Sequence, residues 1–216
     1  MKRLTYEEIA GALRRIPDIK TKDIDTYNRA RIREGADVGA LRAHVLADPL
    51  VHRTYFQVSM GQMDTVEKQL DFIENNEDLL ADWWHVDQLP QFLYKSLSFE
   101  IAFERAKRYV LSDKPFTRRW GYVIFFTGLA KDKTNVAAIL SLMKDDDEYY
   151  VQMAEAWLLC ELAVFHREAV LDFLKSSKMK YNILGKAIQK IQDSFRISAE
   201  DKAAFRALRE QLKNNG

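Results

Sequence analysis

The 216-residue chain is predicted to be all-α, on three observations. Apolar side chains recur at three- and four-residue spacing in segment after segment, which places them on one face of a helix. No segment shows sustained two-residue alternation bounded by Asn-Gly or Asp-Gly, so no strand is predicted. Glycine (8) and proline (4) are scarce. Average usage would give roughly 15 and 11, and an all-β sandwich or barrel depends on such turn residues.

The elements follow in chain order. Thr5-Tyr6-Glu7-Glu8 fits a capping box, with Ile9, Leu13 and Ile16 at helical spacing behind it and Pro17 as the stop. Residues 64–80 open on Asp64 and set Val66, Leu70, Phe72 and Ile73 on one stripe. Between 97 and 111 the rhythm continues through Leu97, Ile101, Ala102, Arg105 and Tyr109. Pro115 suits a first helical turn, and 116–129 carry Trp120, Val123, Ile124 and Thr127. Asp145, Asp146 and Asp147 put negative charge where a helix through 164 begins, complementing its dipole. Helical patterns also fit 180–193 and 198–212, the latter with Ser198 and Asp201 at its start. These lengths and short polar joints suggest paired helices on the scale of HEAT-like repeats. Periodicity by itself leaves a compact bundle and a solenoid both open.

Composition narrows the class further. With 47% hydrophobic, 12% aromatic and 30% charged residues, the chain can bury a core and is not disordered. One cysteine makes no internal disulfide, and Cys160, within an apolar run, reads as a small buried hydrophobe. No signal-like leader and no long apolar run is seen, so a soluble cytoplasmic protein with no membrane association is expected. The net charge of +1 hides alternating blocks: +3 over 1–34, −7 over 35–90, +6 over 91–144, −7 over 145–174 and +6 over 175–216. Basic blocks gathered on one side would make a stripe for a polyanion; left apart, they are solvated helix faces.

Three segments hold residues suited to chemistry. In Asp82-Trp83-Trp84-His85-Val86-Asp87 the adjacent tryptophans point about 100° apart on a helix, whereas Trp83 and Asp87 share a face. An aromatic face with a carboxylate one turn away suits a cationic or electron-poor group. A core tryptophan beside a capping aspartate fits the same pattern. His85 points off that face and reads as incidental. In the 149–157 segment, Tyr150, Met153, Ala154 and Trp157 form one stripe, which also describes ordinary core. Arg118 and Arg119 open a very apolar helix, where a guanidinium can reach a phosphate or simply form an ion pair. Glycine-rich phosphate loops, HExxH and GxSxG are absent, and the four histidines have no ligand spacing, so no metal site is expected.

Taken in order, these segments resemble a known family. Trp83-x-x-Val86-Asp87, the Arg118-Arg119 pair, Tyr-Tyr-Val-x-Met-Ala-x-Ala-Trp over 149–157, and Asn182–Ser198 with its Lys186-Ala187-Ile188-Gln189-Lys190-Ile191 core are similar to the AlkD-like DNA alkylation repair family. The likeness spans roughly residues 35–212; residues 1–34 match poorly. It implies one domain over 1–216, folded as a right-handed superhelical solenoid of HEAT-like antiparallel helix pairs whose concave face cradles duplex DNA.

The resemblance also implies a chemistry: hydrolysis of the N-glycosidic bond of cationic N3- or N7-alkylated purines in duplex DNA, without a base-flipping pocket. Such a base is already cationic and leaves as a neutral purine, so no general acid, cofactor or metal is required. Asp87 would be the catalytic carboxylate, stabilising the oxocarbenium-like sugar and orienting a water. Trp83 and Trp157 would pack against the lesion's sugar. Arg119, helped by Arg118, would hold a phosphate, with Lys186 and Lys190 as further phosphate contacts. A monomer is implied. Gln152 and Met153 stand where the family often has basic residues, and Glu155 and Glu161 add acid near Trp157. The alternative reading is a non-catalytic HEAT-like module for branched or damaged DNA, or for a protein partner.

Overall fold

The computed structural model describes residues 2–214 and divides into two compact units, Met1–Leu97 and Ser98–Gly216. Among the described residues there are α-helices and short 3-10 turns but no strand, only an isolated bridge between Arg3 and Asp37. The protein is all-α.

The first unit opens with α1 (Tyr6–Arg14). Its capping box is closed in both directions: Thr5 Oγ1 accepts the Glu8 N–H at 3.3 Å, and Glu8 Oε2 accepts the Thr5 N–H at 2.9 Å. Ile9, Ala10 and Leu13 are its buried stripe. α2 (Thr21–Arg33) packs on α3 (Pro49–Gly61), and the approach is close. A Cβ on Gly61 would come within 2.5 Å of Ile32 Cδ1, so the glycine is what lets the two helices meet. α3 is buried on nearly every side, from Val51 through Phe56 and on to Val58 and Met60.

α4 (Val66–Glu74) is capped by Thr65, one residue past the expected Asp64, and stops short of residue 80. Asn76 explains the stop. Its Nδ2 donates to the Phe72 carbonyl at 2.8 Å, and its Oδ1 accepts from Tyr55 Oη at 2.9 Å, so the side chain replaces the next helical turn. A 3-10 turn (Glu77–Leu79) then leads to the five-residue α5 (Trp83–Asp87), and a second (Leu89–Gln91) follows, with Pro90 in its first turn.

In the second unit, α6 (Phe99–Tyr109) pairs with α7 (Pro115–Val123). A Cβ on Gly121 would lie 2.7 Å from Val110 Cγ1 and 3.0 Å from the Val110 nitrogen, a second glycine-dependent approach. α7 ends at Val123 rather than running to 129, because residues 124–127 tighten into a 3-10 turn and Gly128 takes φ +106°. After α8 (Val136–Leu140), the acidic run 145–147 forms a loop, and α9 (Tyr149–Phe165) starts beyond it. α9 is the hub: α7, α10 (Arg167–Ser176) and α11 (Tyr181–Asp193) all pack on it. α11 offers a clean stripe of Ile183, Leu184, Ala187, Ile188 and Ile191, and α12 (Ala199–Asn214) closes over it. Pairing of chain neighbours, α2 with α3, α6 with α7 and α11 with α12, is consistent with a helical-repeat protein.

Candidate functional site

α5 is too short to be stable alone and takes its position from the contacts around it. Asp82 Oδ1 accepts the Trp83 N–H at 2.7 Å, starting the helix. The two tryptophans diverge as their spacing predicts. Trp83 turns outward, 46% exposed, whereas Trp84 turns inward and meets His52 and His85 edge-on at 5.0 and 4.0 Å. His85 is buried, stacked on His52 at 3.8 Å, and its Nδ1 accepts the Ala81 N–H. Burial, and then the neighbouring His85, push the His52 imidazole down to about 3; burial likewise lowers His85. Both rings are therefore neutral at physiological pH.

Trp83 and Asp87 line one cleft of about 360 Å³ within the first unit. Trp84, Leu50 and Ile24 supply its apolar walls, and Arg53, Gln88 and Gln91 its polar ones. Arg53, from α3, is buried and fully directed: Nε donates to Asp25 Oδ1 at 2.8 Å, Nη1 to Gln88 Oε1 at 3.1 Å and Nη2 to Gln91 Oε1 at 3.1 Å. Its guanidinium also lies 4.9 Å from the Phe92 ring centroid. Sequence reasoning passed over Arg53, His52 and Gln88. The signal for the first two was a cation and an imidazole inside the apolar run 49–56, where polar groups need built-in partners.

The remaining expected residues lie in the second unit. Trp157 is half-buried, its ring centroid 3.9 Å from that of Phe126 with the planes inclined by 32°. Arg118 forks onto Asp146, Nε to Oδ2 at 2.7 Å and Nη2 to Oδ1 at 3.2 Å, while Nη1 donates to the Ser112 and Asp113 carbonyls. That hydrogen bonding to Asp146 raises its pKa further. Arg119 is only 4% exposed and donates Nη1 to the Tyr150 carbonyl at 2.5 Å. A phosphate role for this pair requires release of part of these bonds.

Lys186 Nζ donates to Gln152 Oε1 at 2.8 Å and sits 5.8 Å from the Tyr149 ring centroid; Lys190 follows one turn along α11. Gln152 is buried and bridges, its Nε2 donating to the Asp146 carbonyl at 2.7 Å. Glu155, expected to add acid near Trp157, is instead fully buried. Its Oε1 accepts the Lys144 N–H at 3.2 Å, its Oε2 has no hydrogen-bond partner, and burial pushes the carboxyl up to about 7. Glu161 pairs with Arg196 at 2.6 Å. Burial raises the Cys160 thiol.

Among the described residues no three His, Cys, Asp or Glu side chains are grouped to hold a metal ion, and no helix is long and apolar enough to cross a membrane. No curated protein and no solved structure gives a significant match to the chain. A family profile does match, that of the DNA alkylation repair enzymes, over residues 42–191. That stretch runs from ahead of α3 to the last turn of α11 and takes in Trp83, Asp87, the arginine pair and Trp157. By this match the chain belongs to the DNA alkylation repair enzyme family.

Proposed function

We propose that the protein is an alkylpurine DNA glycosylase, hydrolysing the N-glycosidic bond of cationic N3- and N7-alkylated purines in duplex DNA. The observation that carries this reading is the cleft in which an outward-facing indole, Trp83, and a carboxylate, Asp87, stand one helical turn apart. Their job follows from the leaving group. An alkylated purine departs neutral, so the demand on the protein is to stabilise positive charge growing on the deoxyribose and to place a water. Asp87 does the first by charge and the second by accepting a hydrogen bond from the nucleophile. Trp83 adds its ring quadrupole, and Trp157, on the second unit, serves as a further aromatic contact to the DNA. In this reading the base stays in the duplex and the sugar meets the indole and carboxylate. Lys186, Lys190 and the Arg118–Arg119 pair contact phosphates, and the enzyme works as a cytoplasmic monomer without cofactor.

The test is release of 7-methylguanine and 3-methyladenine from methylated duplex DNA. Asp87→Asn is expected to cut release by about 100-fold or more, the scale for loss of a transition-state electrostatic partner, and to leave DNA affinity within about twofold, since asparagine removes charge without removing shape. Unchanged release would end the role of Asp87.

One observation favours a second reading, a non-catalytic module on damaged or branched DNA. Both arginines of the pair are already engaged inside the second unit. Salt-sensitive DNA binding by wild type with no base release is the outcome that selects it.

A further inference from the structure

The hydrogen bonds around Arg53 have only one possible direction, and it runs to the candidate site. The Leu79 carbonyl can only accept, so at 3.2 Å the His52 Nε2 carries the proton. The neutral ring then presents a bare Nδ1, which accepts from Gln88 Nε2 at 2.8 Å. That orients the Gln88 amide, leaving Oε1 for Arg53 Nη1 at 3.1 Å, and Arg53 is held in turn by Asp25. His52, Arg53 and Gln88 are all buried, so removing a partner there leaves a polar group unsatisfied at a cost.

Gln88 is the residue after Asp87. Pro90 lies two further on and supplies no N–H to extend the helix. With one turn on one side and a proline on the other, α5 has little internal rigidity. Its orientation is set where it is bonded, and Arg53 bonds both residues that bracket its exit, Gln88 and Gln91.

We infer that Arg53 is a positioning residue: through Gln88 and Gln91 it fixes the helix that carries Trp83 and Asp87. Its relevance to rate rests on the glycosylase reading above; its effect on α5 does not. Misplacing a reacting group by about 1 Å costs on the order of 100-fold in rate.

The experiment pairs two readouts on Arg53→Met, Gln88→Leu and the double variant, beside Asp87→Asn. The first is single-turnover base release together with the dissociation constant for DNA. Each single variant is expected to lower the rate by about 30-fold with affinity within about twofold, and the double variant to fall well short of the product of the two losses, because the Arg53–Gln88 bond is common to both. The second is fluorine NMR of protein carrying 5-fluorotryptophan, with the Trp83 resonance assigned by Trp83→Phe. The Trp83 signal is expected to shift and broaden in both single variants while the Trp157 signal stays in place.

Should Arg53→Met fail to fold, Gln88→Leu, which removes no charge, carries both readouts. Unchanged rates and an unmoved Trp83 signal in folded variants overturn the inference. So does a loss of affinity matching the loss of rate, which would make Arg53 a DNA contact. If Asp87→Asn keeps full release, or wild type releases nothing, the glycosylase reading fails by itself, and the Trp83 signal still decides whether Arg53 positions α5.

Discussion

Glu155 shows what a single buried carboxyl does to the molecule. Its folded value of about 7 lies above the ordinary 4.5, because burial penalises the charged form. Between those values the folded state holds a proton that the unfolded chain has lost, so stability falls as pH rises from about 4.5 through about 7 and is lowest above it. The span corresponds to a cost on the order of 3 kcal/mol. In Glu155→Gln that decline should vanish from urea-melt free energies measured across the same range; curves that stay parallel to wild type would show that the carboxyl is charged in the fold. His52 acts with the opposite sign. Its value of about 3 means that stability is lost as pH falls below about 6.5. At this scale the sequence was half legible. Trp83 and Asp87 could be read from an i, i+4 pattern, because a surface motif needs only local spacing. Arg53, His52 and Gln88 could not, because their bonds join residues 27 to 38 positions apart.

At the scale of elements, what could be read was amphipathicity. α1, α6, α7, α11 and α12 alternate buried stripes with solvated faces, and their positions emerged to within a turn, apart from the late end expected for α7. α3 left no stripe because nearly all of it is enclosed, and α2 left none because only Ile24 and Asn28 on it are buried. α10 follows α9 with a single residue between them, His166 at φ −139° and ψ 50°, so no polar joint marks the break. The glycines at close approaches were equally silent, since their reason is a neighbour far along the chain. Gly121→Ala forces Val110 and its backbone to move and should cost about 1–3 kcal/mol in urea melts. No loss of stability would mean that Val110 and its backbone yield at no cost.

For the whole molecule, the charge blocks matter more than their sum. A net charge of +1 gives no general attraction to DNA, so any affinity must come from the basic stretches, among them that of α11. Lys186→Ala with Lys190→Ala should flatten the slope of log affinity against log salt by about 1.8, the figure for two phosphates that are no longer neutralised. An unaltered slope would remove both lysines from the interface. The acidic blocks are weaker in the fold than in the sequence. Asp146 is spent on Arg118 and Glu155 is sealed in the core, so the −7 counted over 145–174 overstates the negative charge that solvent meets.

The enclosure of α9 has one more use. Cys160 is the only thiol in the chain, it is buried on that helix, and burial holds its sulfur in the unreactive protonated form. With Cys160 only 8% exposed, its labelling rate with a thiol reagent rises with every opening that uncovers α9. The labelling rate, divided by that of a free thiol, counts those openings and converts them to an opening free energy. The protein carries its own clock for the breathing of its central helix, readable with or without DNA and with no probe engineered into it.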